Sequence, residues 1–128
     1  MSLFSIVRQI FGFKTTETIE LSARQAFYDN KTIDHVEWWL SYCSEYPELY
    51  WARIRVLSDG CADAAFDENT VYGFDSHTCA ANFVSEDEYL ILESFDDEQR
   101  RQIGAEGIEI CPPNWGELDF KFEYLSHH

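Results

Sequence analysis

The groups in this sequence that could do chemistry are, above all, two triplets of carboxylates. They are Glu86, Asp87 and Glu88, followed by Asp96, Asp97 and Glu98. A pair of carboxylates can act as general acid and base, but closeness in sequence does not identify such a pair. Successive carboxylates at the end of a helix repel one another and lie at the negative end of its dipole. For Glu86, Asp87 and Glu88 two interpretations are open, a solvated corner between a helix and a strand and a contact surface for a basic partner.

Signatures of other chemistry are absent from the sequence. It has no G-x-S-x-G, no Cys–His signature of a nucleophile and, with six glycines, no glycine-rich loop for phosphates. Asp59, Asp63, Asp67 and Glu68 lie close together, but their order is not that of a calcium-binding loop. We therefore predict no catalytic residue, no metal and no cofactor.

Four cysteines are spread along the chain without the paired spacing of a metal site. They are Cys43, Cys61, Cys79 and Cys111, spaced by 18, 18 and 32 residues. Cysteine is among the residue types most often buried, so we expect free, buried thiols in a cytoplasmic protein. His35 and His77 lie far from any cysteine pair, and His127 and His128 are expected to form a tail, so no zinc site is predicted.

The charge of the chain is large and unevenly placed. The net charge is −15; residues 1–58 hold 7 acids and 6 bases, whereas residues 59–128 hold 17 acids and 3 bases. Neutralising phosphates needs clustered Lys and Arg, so nucleic acid and anionic lipid are excluded as direct ligands. A strongly negative field instead favours a basic protein as the partner.

A strand and a helix are predicted directly before the first acidic triplet. Residues 70–74 are β-branched and aromatic, which favours a strand, and Asp75 or Ser76 is suited to capping the helix that follows. The apolar side of this helix consists of Cys79, Ala80, Phe83 and Val84. This side is expected to pack on a sheet.

Two further segments favour strands that pair as neighbours of this one. Residues 50–57 alternate, with Arg53 and Arg55 on one side, and residues 61–66 form the next strand after a hairpin turn at residues 58–60. Residues 34–43 fit either a helix whose N-cap is Asp34 or a strand rich in aromatic residues. We predict a strand there, because it pairs readily with residues 50–57, and hence an antiparallel meander.

Two helices are predicted before the first strand. Residues 2–13 favour an amphipathic helix, too short to span a bilayer, that packs on the core or on a partner. Residues 21–29 favour a short helix capped by Ser22, with its apolar side made by Ala23, Ala26 and Phe27.

The last third of the chain adds a capped helix and an alternating segment. Asp96 and Gln99 form a capping box at the start of a helix that Gly104 ends, and residues 105–116 are irregular. The alternating apolar residues of the last strand are Leu118, Phe120, Phe122 and Tyr124. The sequence therefore predicts a single α+β domain over residues 1–128, with a few short helices packed on the meander.

Six aromatic residues crowd the predicted first hairpin. They are Trp38, Trp39, Tyr42, Tyr46, Tyr50 and Trp51. One sheet face does not bury so many, so some are expected to be exposed, and exposed aromatics beside acidic residues have the composition of a protein-binding hot spot. Filling of the core is the alternative.

The order of these features resembles that of small acidic bacterial proteins of the toxin-immunity kind. Over residues 36–104 the resemblance rests on Trp51 and Arg53 in a strand, a turn at Asp59-Gly60, a strand at Tyr72-Gly73-Phe74, a helix containing Ala80, and Glu86-Asp87-Glu88-Tyr89. Such proteins have many unrelated folds and act by binding. The resemblance therefore implies an inhibitor and no catalytic residue.

We predict a non-enzymatic inhibitor whose acidic surface binds and blocks a basic partner, a cognate toxin domain. The predicted contact residues are both acidic triplets and one or more of Trp38, Trp39 and Trp51. Two alternatives are open. A nucleic-acid mimic would carry carboxylates in two rows, and a small enzyme or ligand-binding domain would have a deep pocket with convergent polar groups.

Overall fold

The structure, a computed structural model, describes residues 23–66, 70–115 and 121–125. Within these ranges six strands form one sheet in the order β5-β1-β2-β3-β4-β6. The strands are β1 (Ile33–Ser41), β2 (Trp51–Leu57), β3 (Ala62–Phe66), β4 (Thr70–Phe74), β5 (Tyr89–Ile91) and β6 (Lys121–Tyr124). The helices are α1 over residues 23–28, α2 (His77–Glu86) and α3 (Asp97–Gln102), with a 3₁₀ turn at Leu92–Ser94. The predicted α+β architecture is confirmed.

The first four strands form the predicted antiparallel meander. β1 pairs with β2, β2 with β3 and β3 with β4, so the strand predicted for residues 34–43 is confirmed over residues 34–41, whereas residues 42–43 form a turn. β5 extends the sheet beyond β1 in antiparallel orientation, whereas β6 adds to β4 in parallel orientation. The predicted last strand is confirmed over residues 121–124, and its residues 118–120 lie outside the described residues.

One face of the sheet is covered by α2. Ala52 and Ile54 of β2 alternate onto this face, where the buried Ala80 and Val84 of α2 pack against them. The side chain of Ser76 accepts a hydrogen bond from the backbone N–H of Cys79 at 3.2 Å and so caps the helix, as predicted. This cap fixes where α2 begins and therefore where the first acidic triplet lies.

The opposite face is covered by two separate clusters. Phe27 of α1 packs with residues of β2, β3, β4 and β6, while the segment 95–110 packs on Leu40 and Trp51. α3 begins with the predicted capping box: Asp96 accepts from the backbone of Gln99 at 2.8 Å, and the Gln99 side chain accepts from the backbone of Asp96 at 2.9 Å. Residues 105–115 are irregular, as predicted.

Gly73 of β4 allows α1 to approach the sheet closely. A Cβ atom at this position would lie 2.7 Å from Cζ of Phe122 and 3.0 Å from Cε1 of Phe27, distances that real Cβ atoms avoid. A glycine here is therefore required by packing and not by backbone conformation.

The prediction for the first short helix is only partly confirmed. Residues 23–28 are helical and Phe27 is buried, but Ala26 is exposed, because the sheet covers a narrower side of this helix than the pattern indicated. The proposed cap at Ser22 and the amphipathic helix at residues 2–13 lie outside the described residues.

The expectation of buried cysteines is wrong. Cys43 and Cys111 are exposed and Cys61 and Cys79 are half-buried; all four are free thiols. Cys43, Cys61 and Cys111 lie in or beside turns and loops and Cys79 lies in α2; Cys61 and Cys79 pack only at the margins of the core. Position in an element, and not residue type, decides their exposure.

Candidate protein-binding surface

The first acidic triplet lies where α2 ends. Glu86 is the last residue of the helix, Asp87 is its C-cap and Glu88 follows with φ of +70°, and all three are exposed. The sequence of α2 contains no Lys or Arg, so these carboxylates meet the negative end of the helix dipole without a cation from the helix itself. α2 itself therefore supplies no cation to the carboxylates at its end.

Two of these carboxylates border a cavity of about 380 Å³ beside α2, which we call the acidic pocket. Its described lining is Phe66 of β3, Tyr72 of β4, and Phe83, Glu86 and Asp87 of α2 and its cap. Because Phe83 precedes the two acids by three and four residues, it lies on their side of the helix. Its ring centroid lies 5.0 Å from that of Tyr72 and 6.0 Å from that of Phe66. Aromatic rings and carboxylates thus share one opening.

Residues 42–50, which connect β1 to β2, form a second aromatic feature that we call the tyrosine loop. Tyr42, Tyr46 and Tyr50 are 44%, 41% and 52% exposed. The loop is nevertheless held in place: Ser41 N–H donates to the Tyr50 carbonyl at 3.0 Å, and Tyr46 N–H donates to the Ile103 carbonyl at 2.7 Å. Fixed, exposed tyrosines offer contact area at a low cost in conformational entropy.

The tyrosine loop is joined directly to the first acidic triplet. The backbone N–H of Tyr42 donates to the Glu88 carbonyl at 3.2 Å, and the Cys43 thiol donates to Oε2 of Glu88 at 3.0 Å. This hydrogen bond raises the pKa of the Cys43 thiol and keeps it protonated. The loop also carries two exposed acids, Glu45 and Glu48. We call the acidic pocket, Glu88 and the tyrosine loop together the acidic–aromatic surface.

The tryptophans are placed differently from the tyrosines. Trp39 and Trp51 are 9% and 8% exposed, so both belong to the core and neither offers contact area beside the acids. Trp38 is half-buried, and its ring packs edge to face on Trp51 at 6.1 Å and on Trp115 at 5.1 Å. The expectation that some of the six aromatics are exposed is met by the tyrosines. Position along the chain distinguishes the buried aromatics from the exposed ones. Trp38, Trp39 and Trp51 belong to strands, whereas the three tyrosines belong to the connecting loop.

The second acidic triplet is exposed but has local structural roles. Asp96 caps α3, and Asp97 and Glu98 lie in its first turn, where the helix dipole favours negative charge. Glu98 forms an ion pair with Arg101 and accepts a hydrogen bond from Gln102 at 3.3 Å. Each residue of this triplet thus has a local role in α3.

Two histidines share a carboxylate at the edge of the α2 side. Nε2 of His77 lies 2.9 Å and Nε2 of His35 3.7 Å from the carboxylate of Glu37, which also accepts from Nε1 of Trp39 at 3.2 Å. A hydrogen bond to Asp34 raises the pKa of His35, with a smaller contribution from Glu37. Across the described ranges, no three His, Cys, Asp or Glu side chains are grouped so as to hold a metal ion.

The aromatic lining of the acidic pocket was not foreseen from the sequence. Phe66, Tyr72 and Phe83 come from three elements, and only the spacing of Phe83 to the acids was readable along the chain. Among the described helices, none is both long and apolar enough to cross a membrane. Comparison of the chain with models of protein families, with curated proteins and with solved structures found no match.

Proposed function

We propose that this protein is a non-enzymatic inhibitor that binds a basic partner protein, as an immunity protein binds and blocks its cognate toxin domain. The observation that carries the proposal is the acidic pocket, in which Glu86 and Asp87 border aromatic walls. The negative charge of the second half of the chain and the resemblance to immunity-type proteins support it. The proposed compartment is the cytoplasm, where free thiols persist.

The acidic pocket is complementary to a Lys or Arg side chain of such a partner. A cation within about 6 Å of an aromatic face gains roughly 0.5–2 kcal/mol, and the adjoining carboxylates add charge-assisted hydrogen bonds. The volume of about 380 Å³ is within the range of pockets that hold small groups. A basic side chain entering here would also relieve the repulsion at the end of α2.

The tyrosine loop would supply the neutral part of the same interface. Tyrosine is enriched in protein interfaces, and Tyr42 and Tyr50 are exposed residues whose backbone is held by hydrogen bonds, that of Tyr42 to Glu88 itself. The remaining acids act at longer range, because opposite fields raise association rates by about 10 to 1,000-fold at low salt. The partner is thus selected by charge and retained by the pocket.

The test is capture of partners from a lysate of the host with two charge-reversed baits. Glu86→Lys with Asp87→Lys reverses the acidic pocket, whereas Glu106→Lys with Glu109→Lys makes the same change in net charge at two exposed acids after α3. We expect wild type and the control variant to capture the same basic protein and the pocket variant to lose it. Capture of an acidic partner, or equal capture by both variants, would refute the proposal.

A captured enzyme that acts on nucleic acid does not by itself distinguish an immunity protein from a nucleic-acid mimic. The distinction lies in competition: a mimic is displaced by duplex nucleic acid in proportion to its affinity, and its binding falls steeply with salt. We expect the complex to survive an excess of duplex DNA at moderate salt. Complete displacement would favour the mimic.

A further inference from the structure

The sheet face opposite the acidic pocket contains a cavity of about 400 Å³ with the reverse charge. Its described lining consists of Arg24, Tyr28, Lys31, Ile33, Arg53, Arg55, Leu57 and Val71. Four of the nine Lys and Arg residues of the chain are thus gathered at one cavity, although the protein carries a net charge of −15. We call it the cationic cavity.

One wall of the cationic cavity is fixed by a buried ion pair. Asp63 is fully buried and lies opposite Arg55 across β2 and β3. Its Oδ2 accepts from Nη2 of Arg55 at 2.7 Å and from the hydroxyl of Tyr28 at 2.6 Å. Burial, followed by the charge of Asp63, raises the pKa of Tyr28, so its hydroxyl stays protonated as a donor. The guanidinium of Arg55 is therefore held in one orientation, and it is charged at all ordinary pH values.

Two of the other cations of the cavity, Lys31 and Arg53, lie over aromatic rings. Arg53 is only 6% exposed, and its Cζ lies 5.8 Å from the ring centre of Trp115. Nζ of Lys31 lies 4.8 Å above the ring of Phe27 and 2.9 Å from the carboxylate of Asp59. Side chains held in this way lose little further conformational freedom when they bind a ligand, which favours binding.

The cavity also has apolar walls. Ile33, Leu57 and Val71 line it together with the ring of Tyr28, so a bare inorganic anion would leave most of its volume unfilled. Guanidinium groups recognise carboxylates and phosphates through paired N–H donors, and apolar walls favour a ligand with a hydrophobic part. We propose that the cationic cavity binds a small organic anion, a carboxylate or phosphate attached to an apolar group.

This site is separate from the acidic–aromatic surface, since it lies on the other face of the sheet.

The first test is a titration of the protein followed by ¹H–¹⁵N NMR. The probes are phenyl phosphate and benzoate, with benzyl alcohol as the neutral analogue and benzylamine as the cationic one. We expect saturable shifts at Lys31, Arg53, Leu57 and Val71 from one or both anions, with a Kd of about 1 mM or below, and none from the two analogues. The two anions show whether the phosphate or the carboxylate is preferred. Absence of shifts from both at about ten times that concentration would overturn the proposal.

The second test uses rim variants, because replacing the buried Arg53 or Arg55 would risk unfolding. Arg24→Gln with Lys31→Gln removes two cations from the cavity, and Arg101→Gln with Lys121→Gln removes two exposed cations elsewhere. Loss of one charged hydrogen bond weakens binding about tenfold or more, so the first variant should bind the anion at least that much more weakly. Equal weakening in both variants, or none in the first, would contradict the assignment.

Discussion

Removal of the buried carboxylate of Asp63 is predicted to be among the most damaging single substitutions in the described part of the chain. In Asp63→Ala, Arg55 loses three hydrogen bonds to that carboxylate, one from Nη2 at 2.7 Å and two from Nε at 3.1 and 3.2 Å, and Tyr28 loses its acceptor. Breaking a buried ion pair costs about 3–5 kcal/mol. The side chain of Arg55 is 15% exposed and regains some hydration, so we expect about 3 kcal/mol.

The pair is also predicted to be strongly coupled. Arg55→Met leaves a buried anion and should cost about as much as Asp63→Ala, whereas Asp63→Leu with Arg55→Met leaves no charge and only the Tyr28 hydroxyl without its acceptor, and should cost about 1–2 kcal/mol. Urea unfolding of the variants measures these free energies, provided that the m-value is unchanged. A cost below about 1 kcal/mol for Asp63→Ala, or additive costs in the double variant, would refute the role given to the ion pair.

Three other substitutions or titrations test separate features. Gly73→Ala brings a Cβ atom to 2.7 Å from the ring of Phe122 and should cost about 1–3 kcal/mol in urea unfolding; an unchanged midpoint would contradict the packing described. Glu88 has a φ of +70°, a conformation that glycine adopts without strain, so Glu88→Gly should raise the free energy of unfolding by up to about 1 kcal/mol. A lower free energy of unfolding would contradict this, because the contacts of the Glu88 side chain would then stabilise the fold by more than the backbone strain costs. The raised pKa of His35 means that the protonated form is stabilised by folding, so its contribution is present below pH 6.5 and is lost as the pH rises through the folded pKa. NMR titration should place this pKa above 6.5 and lower it in Asp34→Asn; titration at or below 6.5 in the wild type would contradict the contact.

Local signals in the sequence were sufficient for most of the elements. The alternation of residues 50–57, the cap at Ser76 and the capping box of Asp96 with Gln99 each depend on neighbours within a few residues. The parallel pairing of β6 with β4 depends on contacts across about fifty residues and left no local trace. The alternation of residues 50–57 shows that Arg53 and Arg55 share one face of β2 but does not show that this face is buried. Its burial depends on α1 and on the segment after α3, which pack on it in the folded protein.

The candidate surface was predictable in its charge but not in its shape. The acids Glu86 and Asp87 were identified, whereas the aromatic walls of the acidic pocket come from three elements that only the fold brings together. The sequence predicts one or more of Trp38, Trp39 and Trp51 as contact residues, and the strands of the sheet bury Trp39 and Trp51 and leave Trp38 half-buried. The exposed aromatic residues beside the acids are the tyrosines of the adjoining loop.

The most direct test of the central claim is the association rate of this protein with its purified partner, measured against salt concentration. We predict that the wild type and Glu106→Lys with Glu109→Lys associate quickly at low salt and slow steeply as salt rises, and that the bound partner is inactive. Glu86→Lys with Asp87→Lys should associate more slowly, with a flatter salt dependence, and should not inhibit. Identical rates for the two charge-reversed variants, or a bound partner that keeps its activity, would contradict the account.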